Sequence, residues 1–570
     1  MKRIILLFIV LFFLPLSFYS QVINDTQVIK TGDPVYDSLN KLCKEQGILV
    51  FNENSMLTVM ELKFYLDQIK YDSLSDAGKF EYENIENFLY TKSNIVQKLN
   101  DLTKLELMDT SVFSLDLNLI LNPELYYKSN SDIPWSFNYF YQDNLGTVPV
   151  KFGISDYITI ESDPFLGKSH YGASEADSYC NIPILNGDPE FMFMRYAYGS
   201  TGICFDKWGF NFILAKEGLK IGNTSMASII YNNSFETDGY AQLNVFTNSF
   251  KYSMDIIQVD FQKYLYLHQL EFILLKKLKF SLVEGSLACD SLQLRFLNPF
   301  MFMHQFSAWN DYSPDNSPYS EQNFCAYFSW LLECTLIKNT RLYVLYSQNE
   351  IQSKIERETE MGALYPDSLG LQIGADISIP YKNNSYWNIS LEGVYTSPYL
   401  YLKFTPKASL YRVRDDNLSS DYIKSWIGSP YGPDSIGLQF MFGYEKVSKW
   451  KLNLGYLFTA KGENDFGMFE EYAESKNEKY DGIYSSYYPT VAYKLGLVSH
   501  EEAYDDAMNM LPSGIIQFTN QIVLNGEYRF NKHIKTNGQF VYSLINNLHH
   551  EENKFGQGIE IAVSMTYNLF

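Results

Sequence analysis

Close cysteine pairs are missing from this chain: Cys43, Cys180, Cys204, Cys289, Cys325 and Cys334 lie far apart, which excludes a zinc knuckle and a dithiol redox motif. In an oxidising periplasm a disulfide is open to them, yet most read more simply as small apolar residues in strands. Long apolar runs are missing too. Past the first twenty residues no stretch of about 18 apolar residues occurs, so no helix is long enough to cross a bilayer. Positive charge is scarce: 45 Lys and Arg stand against 66 Asp and Glu, a net charge of −21 that argues against nucleic acid and against a polyanion-binding face spread over the surface. A local basic patch stays open. Histidine is sparse as well, and of the seven only His549 and His550 adjoin, beside Glu551 and Glu552. Without a helical spacing to bring two ligands to one face, that group reads as a solvated loop tip. His268 falls in a strand with no identifiable serine partner. No catalytic residue, metal site or cofactor is expected.

What the chain has in excess is aromatic residues, 46 Tyr and 41 Phe, combined with a mean hydropathy of −0.19. That pairing suits strands with one lipid face and one polar face, with aromatics gathered at two interfaces. The last strand shows it: Ile559, Ile561, Val563, Met565, Tyr567 and Leu569 alternate with Glu560, Ala562, Ser564, Thr566 and Asn568, closing on Phe570. A large soluble β-protein would alternate too. At the other end, Lys2 and Arg3 precede the apolar run Ile4 to Leu16, and small residues follow at Ser17 and Ser20. This reads as a secretory signal over residues 1–20, with cleavage after Ser17 or Ser20 both open. A secreted chain that still reaches a membrane without an apolar helix must span it as a closed barrel.

Residues 21–110 carry a helical period. Asp33 caps a helix that starts at Pro34, presents Val35, Leu39 and Leu42 on one face and stops at Gly47. Thr58 and Glu61 form a capping box for a second helix with Leu62, Tyr65, Leu66 and Ile69 inward. A third runs near Ala77 to Tyr90. The segment is expected to lie in the periplasm.

From about residue 111 the period is two and stays so to the C-terminus. Clear strands are Phe113 to Leu121, Leu369 to Ile379, Trp387 to Tyr395, Ile436 to Tyr444, Trp450 to Phe458, Ile516 to Tyr528 and Ile534 to Leu544. Weaker candidates, among them Val148 to Ile160 and Ser225 to Tyr231, bring the count to roughly 16–20, a porin-sized antiparallel barrel. With a periplasmic C-terminus, 409–434, 461–513 and 546–555 become extracellular loops. Counting backward then puts 350–367 and 299–323 on the periplasmic side, a clash that locates a one-strand slip between Glu350 and Asp434.

Several segments carry a resemblance. Lys207-Trp208-Gly209 opens a strand that leads into Glu217-Gly218-Leu219-Lys220-Ile221-Gly222 and a further strand Ser225 to Tyr231; Leu297-Asn298-Pro299-Phe300-Met301-Phe302-Met303-His304-Gln305 follows, then Asn310-Asp311, then Leu342-Tyr343-Val344-Leu345-Tyr346-Ser347-Gln348-Asn349-Glu350. This succession resembles the capsule assembly Wzi family of outer-membrane barrels, and Asp33-Pro34-Val35-Tyr36-Asp37-Ser38-Leu39 with Gly47-Ile48 looks like the helical segment before the barrel in its members. The resemblance implies about 18 strands, a periplasmic helical segment, a lectin-like hold on capsular or exopolysaccharide, and no catalysis. The chain departs from the family at the glycine-rich turn after Trp-Gly, where Glu217 to Gly222 stands instead, so no ligand residue carries over.

Independently, a saccharide needs flat aromatic faces for its C–H surface and planar polar groups for its hydroxyls. Candidates on loops are Trp309, Asn310, Asp311 and Tyr312, and the group Tyr411, Arg412, Arg414, Asp415, Trp426 and Tyr431. An interface girdle would also account for the aromatics. The two arginines suit an anionic polymer or pair with Asp415 and Asp416. The run His500 to Asp506 reads as a charged helix rather than a calcium site, which would need regular ligand spacing. The leading expectation is thus a non-enzymatic barrel in the outer membrane of a diderm bacterium, holding surface polysaccharide. Its partners would be outer-membrane lipid, the polysaccharide and the barrel assembly machinery, with no nucleic acid. A diffusion porin with a charged, water-filled lumen is the alternative. Gly47-Ile48 followed by Leu57-Thr58-Val59-Met60-Glu61 also looks like part of an S-layer homology module, which would add peptidoglycan as a partner of the N-terminal helices.

Overall fold

The computed structural model describes residues 24–52, 56–90, 112–133, 144–166, 178–182, 191–232, 237–299, 323–415, 422–469, 472–474, 483–485 and 487–569, with isolated positions between them. The N-terminal helices form where their caps lie. In α1 (Pro34–Gln46) the Val35 N–H donates to the Asp33 carboxylate at 2.9 Å, and Gly47 ends the helix at a φ of 65°, which glycine adopts without strain. α2 (Val59–Leu66) starts at the Thr58–Glu61 capping box, and α3 spans Asp76–Tyr90. Leu39, Leu42, Leu62, Leu66, Ile85 and Leu89 meet in one apolar cluster that also takes in Ile273 of the barrel wall.

Eighteen antiparallel strands then close on themselves. β1 occupies 113–128 in three segments (Phe113–Leu117, Ile120–Leu121 and Glu124–Lys128), and β2 occupies 146–154 as Gly146–Thr147 and Val150–Ile154. There follow β3 (Ile158–Leu166), β4 (Phe191–Cys204), β5 (Trp208–Lys216), β6 (Gly239–Thr247), β7 (Phe250–Asp260), β8 (Lys263–Leu274) and β9 (Leu278–Ala288). β10 (Phe324–Cys334), β11 (Thr340–Glu350), β12 (Ser368–Tyr381), β13 (Ser385–Thr396) and β14 (Ser435–Lys446) continue the wall. β15 (Trp450–Lys461), β16 (Gln517–Arg529), β17 (Ile534–Asn546) and β18 (Phe555–Asn568) complete it. The seam is the pairing of β18 with β1, with Ala562 opposite Tyr126 and Asn568 opposite Ile120. A closed sheet leaves no edge, as lipid requires.

The wall is turned inside out relative to a soluble protein. On β18 the polar-side residues Glu560 and Ala562 are buried, while Val563 is 52% exposed, and Leu214, Leu454 and Ile522 stand out in the same way. Outward apolar residues have lipid to meet.

Tight turns (155–157, 205–207, 248–249, 275–277, 335–339, 382–384, 447–449, 530–533) all lie at one mouth, together with the C-terminus. The long connections 289–323, 351–367, 397–434 and 462–516 all leave the other mouth, where only 261–262 is short. By the usual asymmetry the long-loop mouth is extracellular. The slip in the sequence count is thereby corrected: two strands, β12 and β13, joined by the 382–384 turn, separate 351–367 from 397–434 and return both to one side. Val148 to Ile160, expected as one strand, is a hairpin turning at 155–157 between β2 and β3.

The lumen is filled. From the short-turn mouth α1 to α3 sit inside the wall: the Leu49 N–H donates to the Lys276 carbonyl at 2.8 Å, the Asn339 N–H to the Lys44 carbonyl at 3.0 Å, and Lys251 of β7 pairs with Glu61 at 2.8 Å with both side chains buried. From the other mouth, the 217–238 connection folds inward. Ser225 to Tyr231, expected as a strand, makes no ladder; only an isolated bridge, Ile221 to Tyr231, forms. Ile221, Ile229, Ile230 and Tyr231 are fully buried against Ile213, Ile257, Leu267, Val283 and Leu345 of the wall.

Candidate functional site

The extracellular connections are packed before any ligand arrives. Tyr411–Asp415 and Tyr422–Trp426 pair as a hairpin within 397–434. Arg412, expected on an open loop, is wholly buried: its Nε donates to Asp238 at 2.9 Å, and its other nitrogens donate to the carbonyls of Trp426 at 3.0 Å and Asn232 at 3.2 Å. Burial opposes its charge, but Asp238 and the Tyr231 ring more than offset that, so it stays protonated. It stitches the hairpin to the inward 217–238 connection. Tyr411 stacks on Phe469 with ring centres 5.2 Å apart and carries the Lys263 ammonium 4.3 Å from its centre. Trp426 lies flat on Phe466 at 4.2 Å, and its indole N–H donates to Asp465 at 3.1 Å. Tyr431 packs at the edge of the same cluster. The expectation of open sugar-contacting faces is therefore not met at Tyr411, Arg412 and Trp426, because each is already covered by the chain itself. Of Arg414 only the strand position is described, and Trp309, Asn310, Asp311 and Tyr312 lie outside the described residues.

An open cleft of about 440 Å³ lies beside this cluster, between the ends of β10 and β11 and the 351–367 and 397–434 connections. Of its aromatic lining Tyr365 is half-buried while Phe324 and Phe404 are buried, and Gln348, Asn349, Gln352, Glu350, Glu356 and Lys403 are its polar groups. Pairing slips by one residue between Gln348 and Glu350, a bulge that re-aims the strand end toward the rim. Asn349 is buried and clamps the neighbouring connection, donating to the Leu402 carbonyl at 3.1 Å and accepting the Tyr401 N–H at 2.9 Å. Glu350 pairs with Lys403 and accepts from Gln352 Nε2 at 2.6 Å. Glu356 sits on a four-residue helix capped by Ser353, whose N–H reaches its Oε2 at 2.7 Å; the hydrogen bonds from Ser353 hold its carboxyl below the usual carboxylate range. A volume of this size, an aromatic face and convergent planar polar groups suit a small polar ligand.

This cleft was not expected as a site. Its signal was present: Gln348-Asn349-Glu350 ends one of the segments that carry the family resemblance, and three planar polar side chains at a strand end next to a long loop are what a rim site needs.

At the opposite mouth a second cleft, about 610 Å³, lies between α1, α3 and the 447–449 turn. Lys41 is buried on its floor and pairs with Asp37 at 2.9 Å, Glu81 at 3.1 Å and Glu445 at 2.7 Å. Burial would lower its pKa, yet the three carboxylates raise it well above the ordinary lysine value. Trp450, Lys449 and Arg529 line its rim.

The remaining candidates are structural. His500–Ala507 is a helix capped by Ser499, and Asp506 accepts from Tyr399 Oη at 2.6 Å. Among the described residues no group of three metal-ligating side chains occurs, and all six cysteines are free thiols. Burial pushes the Cys43 thiol up to about 12, which keeps it unreactive.

A closed antiparallel barrel of eighteen strands with an apolar outer face defines a transmembrane barrel of the outer-membrane class. No family model and no curated protein matches the chain. Among solved structures, it is similar to Wzi of Escherichia coli, described as an outer-membrane carbohydrate-binding β-barrel involved in group 1 capsule assembly: 10% identity, 94% of this chain and 98% of that one covered, TM-score 0.53. OprD of Pseudomonas aeruginosa covers 80% of this chain and 95% of its own at 8% identity and a TM-score of 0.38. OmpT of Vibrio cholerae, as a loop-deletion mutant, gives 10% identity, coverage of 80% and 99%, and a TM-score of 0.29. At these identities the likeness concerns the fold.

Proposed function

We propose that this protein is a non-enzymatic outer-membrane barrel that binds polysaccharide at the cell surface through the cleft between the 351–367 and 397–434 connections. The observation that carries the reading is the filled lumen. A diffusion pore needs a continuous wet path, and here the N-terminal helices and the 217–238 connection pack the interior with buried apolar and paired charged groups. What the barrel offers its surroundings is then its outer rim, where Tyr365 and the amides of Gln348 and Gln352 converge. The carbohydrate binding described for Wzi supports the same reading by analogy of fold. The buried Tyr411, Arg412 and Trp426 act in it as positioning residues that hold the 397–434 connection in place. At the periplasmic mouth, α1 and α3 present their cleft to the peptidoglycan side, and cell-wall contact is part of the proposal.

Two measurements on the purified full-length barrel test it. In planar bilayers it should pass little current; a large, steady open conductance would make it a porin and overturn the reading. In a pull-down with the organism's own surface polysaccharide, capture should fall when Gln348 and Gln352 are both replaced by alanine. Capture unaffected by that double change would remove the cleft from the proposal.

A further inference from the structure

The rim cleft has a polarity. Its single ammonium, Lys403, is engaged with Glu350. The Glu356 Oε1 and the Gln352 Oε1 have no protein donor among the described residues, whereas the Gln348 Nε2 is the one amide donor of the lining without an acceptor among them. Two carboxylates face one ammonium, so the lining is acceptor-rich and net negative. The guanidinium that would have suited an anionic polymer, Arg412, is neutralised by Asp238 away from solvent. The surroundings carry the same sign: the helix His500–Ala507, which packs against the 362–364 turn of the cleft's own loop, carries Glu501, Glu502, Asp505 and Asp506. A ligand entering here meets a field that repels anions and acceptor atoms that need donors.

We infer that the cleft selects a glycan that brings hydrogen-bond donors, hydroxyls or protonated amines, and excludes one that carries carboxylates. The inference rests on the polysaccharide-binding reading and narrows its ligand. Glu356 is the residue that sets the preference, because its carboxylate lines the cleft and no cation pairs with it among the described residues. Tyr365, half-buried, is the aromatic face of the lining open to the C–H side of a sugar, and it also suits a cation, whereas Phe324 and Phe404 are buried.

The test uses the full-length barrel in detergent, titrated at pH 5.5 with three probes: chitosan oligosaccharide, maltoheptaose and oligogalacturonate. At that pH Glu356 is ionised and the chitosan amines are protonated. Chitosan oligosaccharide should bind tightest, maltoheptaose more weakly and oligogalacturonate not measurably. Glu356→Gln keeps the helix cap and should cut the preference for chitosan over maltoheptaose about tenfold. Oligogalacturonate binding as tightly as the other two would overturn the inference while leaving polysaccharide binding in place. A chitosan preference that survives Glu356→Gln would overturn the role given to the cleft. If none of the three probes and no native polysaccharide binds, the proposed function falls, and the inference with it.

Discussion

Arg412 and Lys41 show how much of this interior depends on single charges. Each is buried and answered by carboxylates, Arg412 by Asp238 and Lys41 by Asp37, Glu81 and Glu445. Removing one member of such a set strands the others in a dry site, which costs about 3–5 kcal/mol. Arg412→Ala should therefore loosen the 397–434 hairpin and lower the temperature at which the unboiled barrel loses its fast-migrating form on a gel; an unchanged transition would show that the pair contributes nothing. For Lys41 the folded pKa is raised, so its contribution is fully present below the unfolded value of about 10.4 and is lost only as pH rises through the folded value above it. Protease resistance of residues 24–90 should thus stay flat between pH 6 and pH 9 and fall in strong alkali. Lys41→Met should expose the segment to protease already at neutral pH. Neither role was legible beforehand, because Lys41 and Glu445 are 404 residues apart and their meeting requires the closed wall. Arg412 looked like a surface charge only because arginine in a loop usually is one.

At the scale of elements, local chemistry was the better guide. The Asp33 cap with Pro34, the Thr58–Glu61 box and the left-handed Gly47 mark α1 and α2 without reference to the rest of the chain, and the structure places the helices there. The wall strands follow their period for the same reason, since lipid outside and paired polar groups inside impose strict alternation. Ser225 to Tyr231 was misread because the segment is short, apolar and between turns, a pattern shared by buried strands and by any chain that crosses a dry interior. A barrel with an apolar core in its lumen breaks the rule that the inside is wet, and the sequence alone does not announce that exception. The two fillings touch, Thr31 Oγ1 donating to the Gly218 carbonyl at 3.0 Å and Asn223 Nδ2 to Asn40 Oδ1 at 3.2 Å, so deletion is what tells their shares of the seal apart. Deleting 24–90 alone should leave the 217–238 connection in place and bilayer current low, and replacing 218–237 by a two-residue turn in the same chain should then open a steady conductance. Current appearing after the first deletion alone would assign the seal to the helices.

For the molecule as a whole, the strand number was bounded and the closure inferred, but the sides of the long loops were miscounted even though both β12 and β13 had been read as strands, because the backward count dropped one strand between Glu350 and Asp434. Once they are placed, one mouth carries the long connections and the other the tight turns and the helical filling. The rim cleft exists only at this scale, since its lining comes from two strand ends and two loops that the barrel brings together. The seam adds one consequence. A nascent chain emerges N-terminus first, so residues 24–90 precede β1, and β18, which must meet β1 to close the wall, arrives last. The helices that occupy the lumen are on hand throughout, anchored to β7 by Glu61 and Lys251 as soon as that strand exists. Such a segment is placed to act as a mandrel around which the cylinder is wound. A helical segment supplied afterwards, as a separate polypeptide, would meet a finished wall.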